Sequence, residues 1–385
     1  MQHYNTVFAD LTKLVDRAGF DQLVESHKAD RRVRTLPARS QLLALIFGQL
    51  SGANSLREIE AGLKSHRSRL YHAGARCVAR STLADANSTR PWQLFADLFA
   101  HMAGEASRAT RRKMRDAVRL IDATRIRLST LSADWAQFSG DHSAVKLHLV
   151  FDPNGANPVA AAVSPEKVND IVEGRRFKIE PGATYVFDLA YYDFAWWAKL
   201  HDAGCTFVTR LKSNTKLRDV EDLPLAPEAE NILSDRTGLL PKHLKSCGKN
   251  PMTARVRELE VRISTGKIIR ILSNDLEAPA EEIAALYKQR WEIELFFKWL
   301  KQNLKIKRFL GTSENAVRIQ LFCALITYLL IRLAYLAQTA VPTPTAFTSL
   351  IRLNLMHRKP INALNQPPPL LSQSPNQAQF CCHET

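Results

Sequence analysis

The chain has 385 residues, 45% of them hydrophobic, which supports a real core, leaves room for two or three domains and excludes a globally disordered protein. Its 53 Lys plus Arg against 38 Asp plus Glu give a formal charge of +15, which favours a polyanionic partner, nucleic acid first. The N-terminus lacks an uninterrupted apolar h-region, and no basic anchor or lipidation motif stands out, so secretion and membrane attachment are not expected and the location expected is cytoplasmic.

Residues 1 to about 105 read as all-helical. Phe8, Leu11 and Val15 recur at helical spacing, as do Leu42, Leu45 and Ile46. Ser55-Leu-Arg-Glu58 is a capping box, and Thr82-Leu-Ala-Asp85 resembles a second. Cations cluster beside these helices: Lys28, Arg31, Arg32, Arg34 and Arg39, then Lys64, Arg67 and Arg69. Short helices with basic turns suit a helix-turn-helix-like DNA reader, although a solvated bundle shows the same pattern.

After the basic run Arg108 to Arg119 the period changes to two. Ala117 to Asp122, Thr124 to Ser129 and Lys146 to Phe151 read as three strands, the last closed by the turn Asp152-Pro-Asn-Gly155. Ser164 to Glu173 reads as a helix, Ala183 to Asp188 as a strand, Phe194 to Ala203 as a helix and Cys205 to Arg210 as a strand. The expected class is therefore α/β, in the order β-β-β-α-β-α-β. A β-rich insertion is expected over about 212–277, with a hairpin across Ser264-Thr-Gly266.

The stretch Tyr287 to Lys301 has no Gly or Pro and predicts one helix. At about 100° per residue, Tyr287, Arg290, Glu294, Lys298 and Lys301 share an arc of roughly 80°, while most of the remaining surface is apolar. The apolar run Leu321 to Ile331 is too short to span a bilayer and predicts a buried helix over 316–337. From residue 341 on, prolines and a Gln/Ser/Asn stretch predict a largely disordered tail. Six scattered cysteines suggest neither a disulfide framework nor a zinc site.

Two aspartates, Asp122 and Asp188, end predicted strands, and Glu294 lies on the helix after the insertion. If the first and fourth strands are neighbours, both aspartates emerge together and a helix packed across the sheet adds Glu294. Three hard carboxylates without His or Cys suit Mg²⁺ or Mn²⁺, and two such ions suit phosphodiester chemistry. The cations around Glu294 would then hold a negatively charged backbone.

Tyr287, Arg290, Glu294 and Lys301 together resemble the Tyr-Arg-Glu-Lys signature of the DDE transposases of bacterial insertion sequences, in type and spacing, and specifically their fourth family. The likeness extends to Leu120-Ile-Asp-Ala-Thr124, Lys146-Leu-His-Leu149 and Tyr185-Val-Phe-Asp-Leu-Ala-Tyr191, and to Ser55-Leu-Arg-Glu58 and Arg80-Ser-Thr-Leu83 upstream. The resemblance implies a ribonuclease-H-like core interrupted by the β-rich insertion (residues 106–340) and preceded by a helical DNA-binding region (1–105). It implies Asp122, Asp188 and Glu294 as the metal triad holding two ions, with Tyr287, Arg290 and Lys301 on DNA phosphates near the cleaved end. It implies cleavage at terminal inverted repeats, joining of the 3′-hydroxyl ends to target DNA, and self-association in the synaptic complex.

Further candidates for DNA contact are Lys298, Tyr191, Arg210 and Lys212. Two departures stand out. Ala190 occupies a position that is usually Gly in the family, and no Trp lies between 212 and 277 to stack on a flipped base. Among local rivals, Asp152 reads as a turn residue, Asp193 as a helix cap, Trp196 and Trp197 as packing and His148 as structural; Asp116 and Glu292 are the remaining carboxylate rivals. Two other readings are kept: a metal-dependent nuclease without strand transfer, and a catalytically silent repressor derived from a transposase.

Overall fold

The computed structural model describes residues 4–111, 117–139, 142–225, 230–244 and 248–366. Asp116, Cys247, Cys381, Cys382 and the segment from 367 on lie outside them, as does part of the basic run after Arg108. Six helices come first: α1 (Val7–Thr12), α2 (Arg17–Ser26), α3 (Ala38–Ser51), α4 (Leu56–Ser65), α5 (Arg80–Thr89) and α6 (Gln93–Arg111). The capping box forms: Ser55 accepts the Glu58 N–H at 3.2 Å, and Glu58 reaches back to the Asn54 N–H at 2.9 Å. The second box does not. The helix begins earlier, at Arg80, whose N–H is accepted by Glu60 of α4 at 3.0 Å, so a tertiary partner does the work of a local cap.

Next come β1 (Val118–Arg127), α7 (Ala133–Ala136), β2 (Gln137–Ser139), β3 (His142–Asp152), β4 (Asn157–Pro165), α8 (Asp170–Gly174), β5 (Thr184–Phe187), α9 (Phe194–Asp202) and β6 (Thr206–Arg210). The stretch between 212 and 277 contributes β7 (Arg218–Asp222), β8 (Ile232–Leu239), β9 (His243–Leu244), β10 (Gly248–Lys249), β11 (Arg255–Arg262) and β12 (Ile268–Ser273). The chain continues through α10 (Ala280–Gln289), α11 (Trp291–Asn303), α12 (Glu314–Leu336) and α13 (Pro344–Leu353). Ten strands form one mixed sheet in the order β2-β3-β1-β5-β6-β12-β11-β8-β7, with β4 on the other side of β3.

Five sequence expectations change. Residues 341–366, expected within a largely disordered tail, carry α13, whose Phe347 and Ile351 are buried in the core. The two strands expected at 117–122 and 124–129 are one, because nothing at Ala123 turns the chain, so Asp122 lies within a strand and not at its end. Residues 157–165 form β4, and the helix expected from Ser164 is confined to Asp170–Gly174. The Ala-rich β4 has no period-2 signal and is a strand through its pairing with β3. The strands after Lys212 join the same sheet, since β12 pairs antiparallel with β6, Ile271 opposite Arg210. The helix expected over Tyr287–Lys301 is two, α10 and α11, meeting at Arg290. There the bonds tighten to i→i+3: Arg290 N–H to Tyr287 O at 3.2 Å and Ile293 N–H to Arg290 O at 3.3 Å.

The sheet alternates. Leu120, Val186, Val208 and Ile271 point to one core, whereas Ile121, Phe187, Phe207 and Leu272 point to the other. α9 covers the second face with Trp196, Trp197 and Leu200, all buried, as the sequence led us to expect of the two tryptophans. On the first face α11 and α12 pack, and the core continues without a break into the N-terminal helices: α12 touches α1, α3, α5, α6 and β4. α12 is long and apolar enough to cross a bilayer, but 72% of its apolar stretch is buried inside the protein, which makes it a central core helix.

Candidate active site

Alternation puts Asp122 on the face shared with Leu120, and Asp188 on the face shared with Val186. β1 and β5 run parallel with Ile121 opposite Phe187, so the next residue of each strand is an aspartate beside an aspartate. Arg210, two residues after Val208, extends the same row on β6. α11 lies over this face, anchored by buried Ile293, Phe296 and Leu300. The Phe296 ring sits 4.9 Å from Phe151 and 4.7 Å from Tyr328. The aromatic anchor sets the height of Glu294 above the sheet.

Arg290, at the break between the two helices, ties the carboxylates together. Its guanidinium is 2.7 Å from Glu294 and 3.5 Å from Asp122. The Asp188 and Glu294 charges act on Asp122. Burial pushes the Asp122 carboxyl up to about 7, and the Asp188 and Glu294 charges push the same way against the Ala123 N–H and Arg290. Asp122 accepts that N–H at 2.7 Å. Asp188 caps the turn Leu189–Tyr191 by accepting the Ala190 N–H at 2.8 Å. Ala190 is not among the residues with positive φ, so the methyl that replaces the family's Gly is accommodated without strain.

The remaining candidates divide. Tyr287 is half-buried beside Arg290, whose guanidinium carbon lies 5.9 Å from the ring centre; burial raises its hydroxyl above the usual range. Lys301 reaches back to β1 and donates to the Thr124 hydroxyl at 2.7 Å and the Arg125 carbonyl at 3.0 Å; burial and Lys307 lower its ammonium. Lys212 is exposed, its ammonium 4.3 Å from the centre of the Tyr192 ring. Lys298 is exposed, and the partner of Glu294 is Arg290. Tyr191, expected at the DNA, is 0% exposed instead, packed near Phe187 and Trp196 on the other face, where its hydroxyl has no partner. Tyr191, the last residue of the 3₁₀ turn, faces this second core, so it is a packing residue in this structure. Asp152 and Asp193 are a turn former and a helix cap, as read from sequence.

Sequence reasoning passed over Thr124, which holds Lys301, and the cations Lys305, Lys307 and Arg308 beyond α11; the Lys-x-Lys-Arg spelling was the available signal. In the N-terminal region Arg31, Arg32 and Arg34 are exposed, whereas Arg69 is used structurally, donating to the Met356 carbonyl at 2.9 Å. Buried Arg90 was also missed; it clips together Asp30, Gln41 and the Leu36 carbonyl.

Residues 113–330 match the family described as the transposase DDE domain, and residues 3–76 match DUF4372, a domain of unknown function. The chain is 40% identical over 307 residues to y4zB of Sinorhizobium fredii (strain NBRC 101917 / NGR234), a protein named as a transposase, covering 77% of this chain and 85% of that one. It is 31% identical over 258 residues to the transposase named for insertion sequence element IS5377 of Geobacillus stearothermophilus, covering 66% of this chain and 67% of that one. Among solved structures, a piggyBac transposase synaptic complex with hairpin DNA aligns over 96% of this chain and 83% of its own at a TM-score of 0.46 and 10% identity, too low to carry an argument. With more than half of the chain inside the DDE domain match and a 40% identical relative, the protein belongs to the DDE-domain transposases of insertion sequences.

Proposed function

We propose that the chain binds the terminal inverted repeats of its own element, cleaves the DNA at their ends and joins the freed 3′-hydroxyls to target DNA. The observation that carries this is Asp122 beside Asp188 on neighbouring parallel strands, with Arg290 bridging Asp122 to Glu294, in a chain of this family. We read β1, β3, β4, β5 and β6 with α11 as a ribonuclease-H-like core, and the helices before residue 105 as the region that reads DNA.

The family implies a divalent metal. Among the described residues no group of three His, Cys, Asp or Glu is drawn together closely enough to hold an ion, and Arg290 pairs with both Asp122 and Glu294. The donor chemistry nevertheless fits: all three groups offer oxygen, and burial, helped by the Asp188 and Glu294 charges, disfavours the Asp122 carboxylate in the absence of a cation. Asp122, Asp188 and Glu294 would hold Mg²⁺ or Mn²⁺, two ions in our reading, and the metal would supply charge neutralisation at the scissile phosphate.

The protein groups do the positioning. The Nε atoms of Arg290 and Arg210 are buried without hydrogen-bond partners, so each guanidinium carries an unsatisfied donor beside the carboxylates. Lys301 uses two of its three N–H donors on β1 and keeps one for the DNA backbone. Lys212 and Lys298 add exposed positive charge.

The test uses the full-length protein and DNA carrying the element's ends. Wild-type protein should nick it in Mg²⁺ or Mn²⁺. Asp122→Asn, Asp188→Asn or Glu294→Gln should each slow cleavage by on the order of 10³-fold or more while leaving end binding in a gel shift intact. Cleavage at the wild-type rate by any of the three would sink the assignment. A precleaved 3′ end offered with target DNA separates transposition from hydrolysis alone, since only the former yields joined product.

A further inference from the structure

A groove of about 500 Å³ lies between the turn after α3 and the connection from α11 to α12. Five cations line it: Lys301, Lys305, Lys307, Arg308 and, from α13, Arg352. No acidic residue is among its lining, and among the described residues none of the five makes an ion pair. Such a set repels itself, which costs the fold stability unless an anion occupies the groove. Part of it is pre-positioned. The Lys305 N–H donates to Gln49 at 2.7 Å, its ammonium donates to Asn54 at 3.0 Å, and Lys301 is held on β1. The Nε of Arg352 is buried without a hydrogen-bond partner, and burial lowers its guanidinium.

Position identifies the anion. Glu294 and Lys301 share one face of α11 seven residues apart, about 10 Å along the axis. That is roughly three base-pair steps of 3.4 Å. A backbone lying at the carboxylates therefore reaches this groove without leaving the helix face. We propose that the groove is a second seat for the phosphate backbone of duplex DNA, shared between the turn after α3 and the segments that follow α11. The proposal rests on the DNA-processing reading of the catalytic face, and adds a site that the three carboxylates do not require.

The experiment measures binding of the full-length protein to a short random-sequence duplex in EDTA, across a salt series. Lys307 and Arg308 are exposed, so Lys307→Gln/Arg308→Gln removes charge without disturbing the core. The control is Lys178→Gln/Lys199→Gln, two exposed lysines, with Lys199 on α9 over the opposite face of the sheet. The groove variant should flatten the slope of log K against log salt by about 2, roughly one unit for each phosphate that the protein no longer neutralises. The control should keep the wild-type slope. Coincident lines for the two variants, or no duplex binding by wild type, would overturn the groove. Cleavage in metal is scored separately: absent cleavage with a flattened slope removes the catalytic reading and leaves the groove standing.

Discussion

Arg290 is the residue on which the site turns. A planar fork that reaches Glu294 with one nitrogen and Asp122 with another cannot be replaced by a point charge. Arg290→Lys and Arg290→Gln should therefore both lower metal-dependent cleavage by about 10²-fold, judged by initial rates on end DNA. A Lys variant as fast as wild type would show that charge alone suffices. His148 makes a different kind of prediction. It is fully buried, 2.8 Å from the Ser164 hydroxyl, with Nδ1 unbonded; burial depresses it to about 4, opposed by Asp170 and assisted by Lys146. Its folded value lies below the unfolded one, so protonation favours unfolding. The contribution is complete above about 6.5 and is lost as pH falls toward 4, worth about 3 kcal/mol in all. Asp122, raised to about 7, acts with the opposite sign in the same window, since the folded state holds its proton more tightly. The difference between wild type and His148→Gln in denaturant titrations isolates the histidine: the gap between them should change by that amount between neutral pH and pH 4. Sequence spacing identified His148 as structural; its partner is one strand over and cannot be read along the chain.

Among elements, the pair β8 and β11 shows how the stretch after Lys212 is held. Arg257 grips Asp235 with two bonds, 2.6 and 2.8 Å, both side chains buried, and also donates to the Ala278 carbonyl just before α10. One guanidinium thus links the strands to the start of α10, which leads into α11. Arg257→Met should cost about 3–5 kcal/mol by stranding a buried carboxylate, and Arg257→Met/Asp235→Leu should recover most of it. Equal destabilisation of single and double variants in urea titrations would mean the pair is not the source. The same region marks where sequence legibility stops. The hairpin at Ser264-Thr-Gly266 was visible, but the joining of β12 to β6 was not, because pairing between distant strands leaves no local period. The helix break was equally hidden: Tyr287 to Lys301 has good helical propensity throughout, and only the tightened bonds at Arg290 divide it.

At the scale of the molecule, α12 joins the parts. It is apolar nearly all round because helices α3, α5 and α6 cover one side and the sheet region with β4 the other. A chain beginning at residue 113 keeps the DDE match and loses that cover. It should be expressed as aggregate, or as a species that binds ANS and lacks near-UV circular dichroism. A soluble, cooperatively unfolding fragment would show that α12 does not need the N-terminal helices. The positive charge, +15 over the chain, is likewise a property of the whole. Composition announces a polyanionic partner, but only the fold gathers Lys301, Lys305, Lys307, Arg308 and Arg352 around one groove.

The sequence by itself determined the helical start, the change to period two near residue 117, and the spacing of Tyr287, Arg290, Glu294 and Lys301. Each of these is a local pattern, written in side chains a few residues apart. Tertiary structure alone decided that Asp122 lies within a long strand beside Asp188, that Arg290 bridges two of the three acids, and that Tyr191 is packed away from the site. Those outcomes depend on register and packing between segments dozens of residues apart, where the energies come from neighbours the chain order does not reveal.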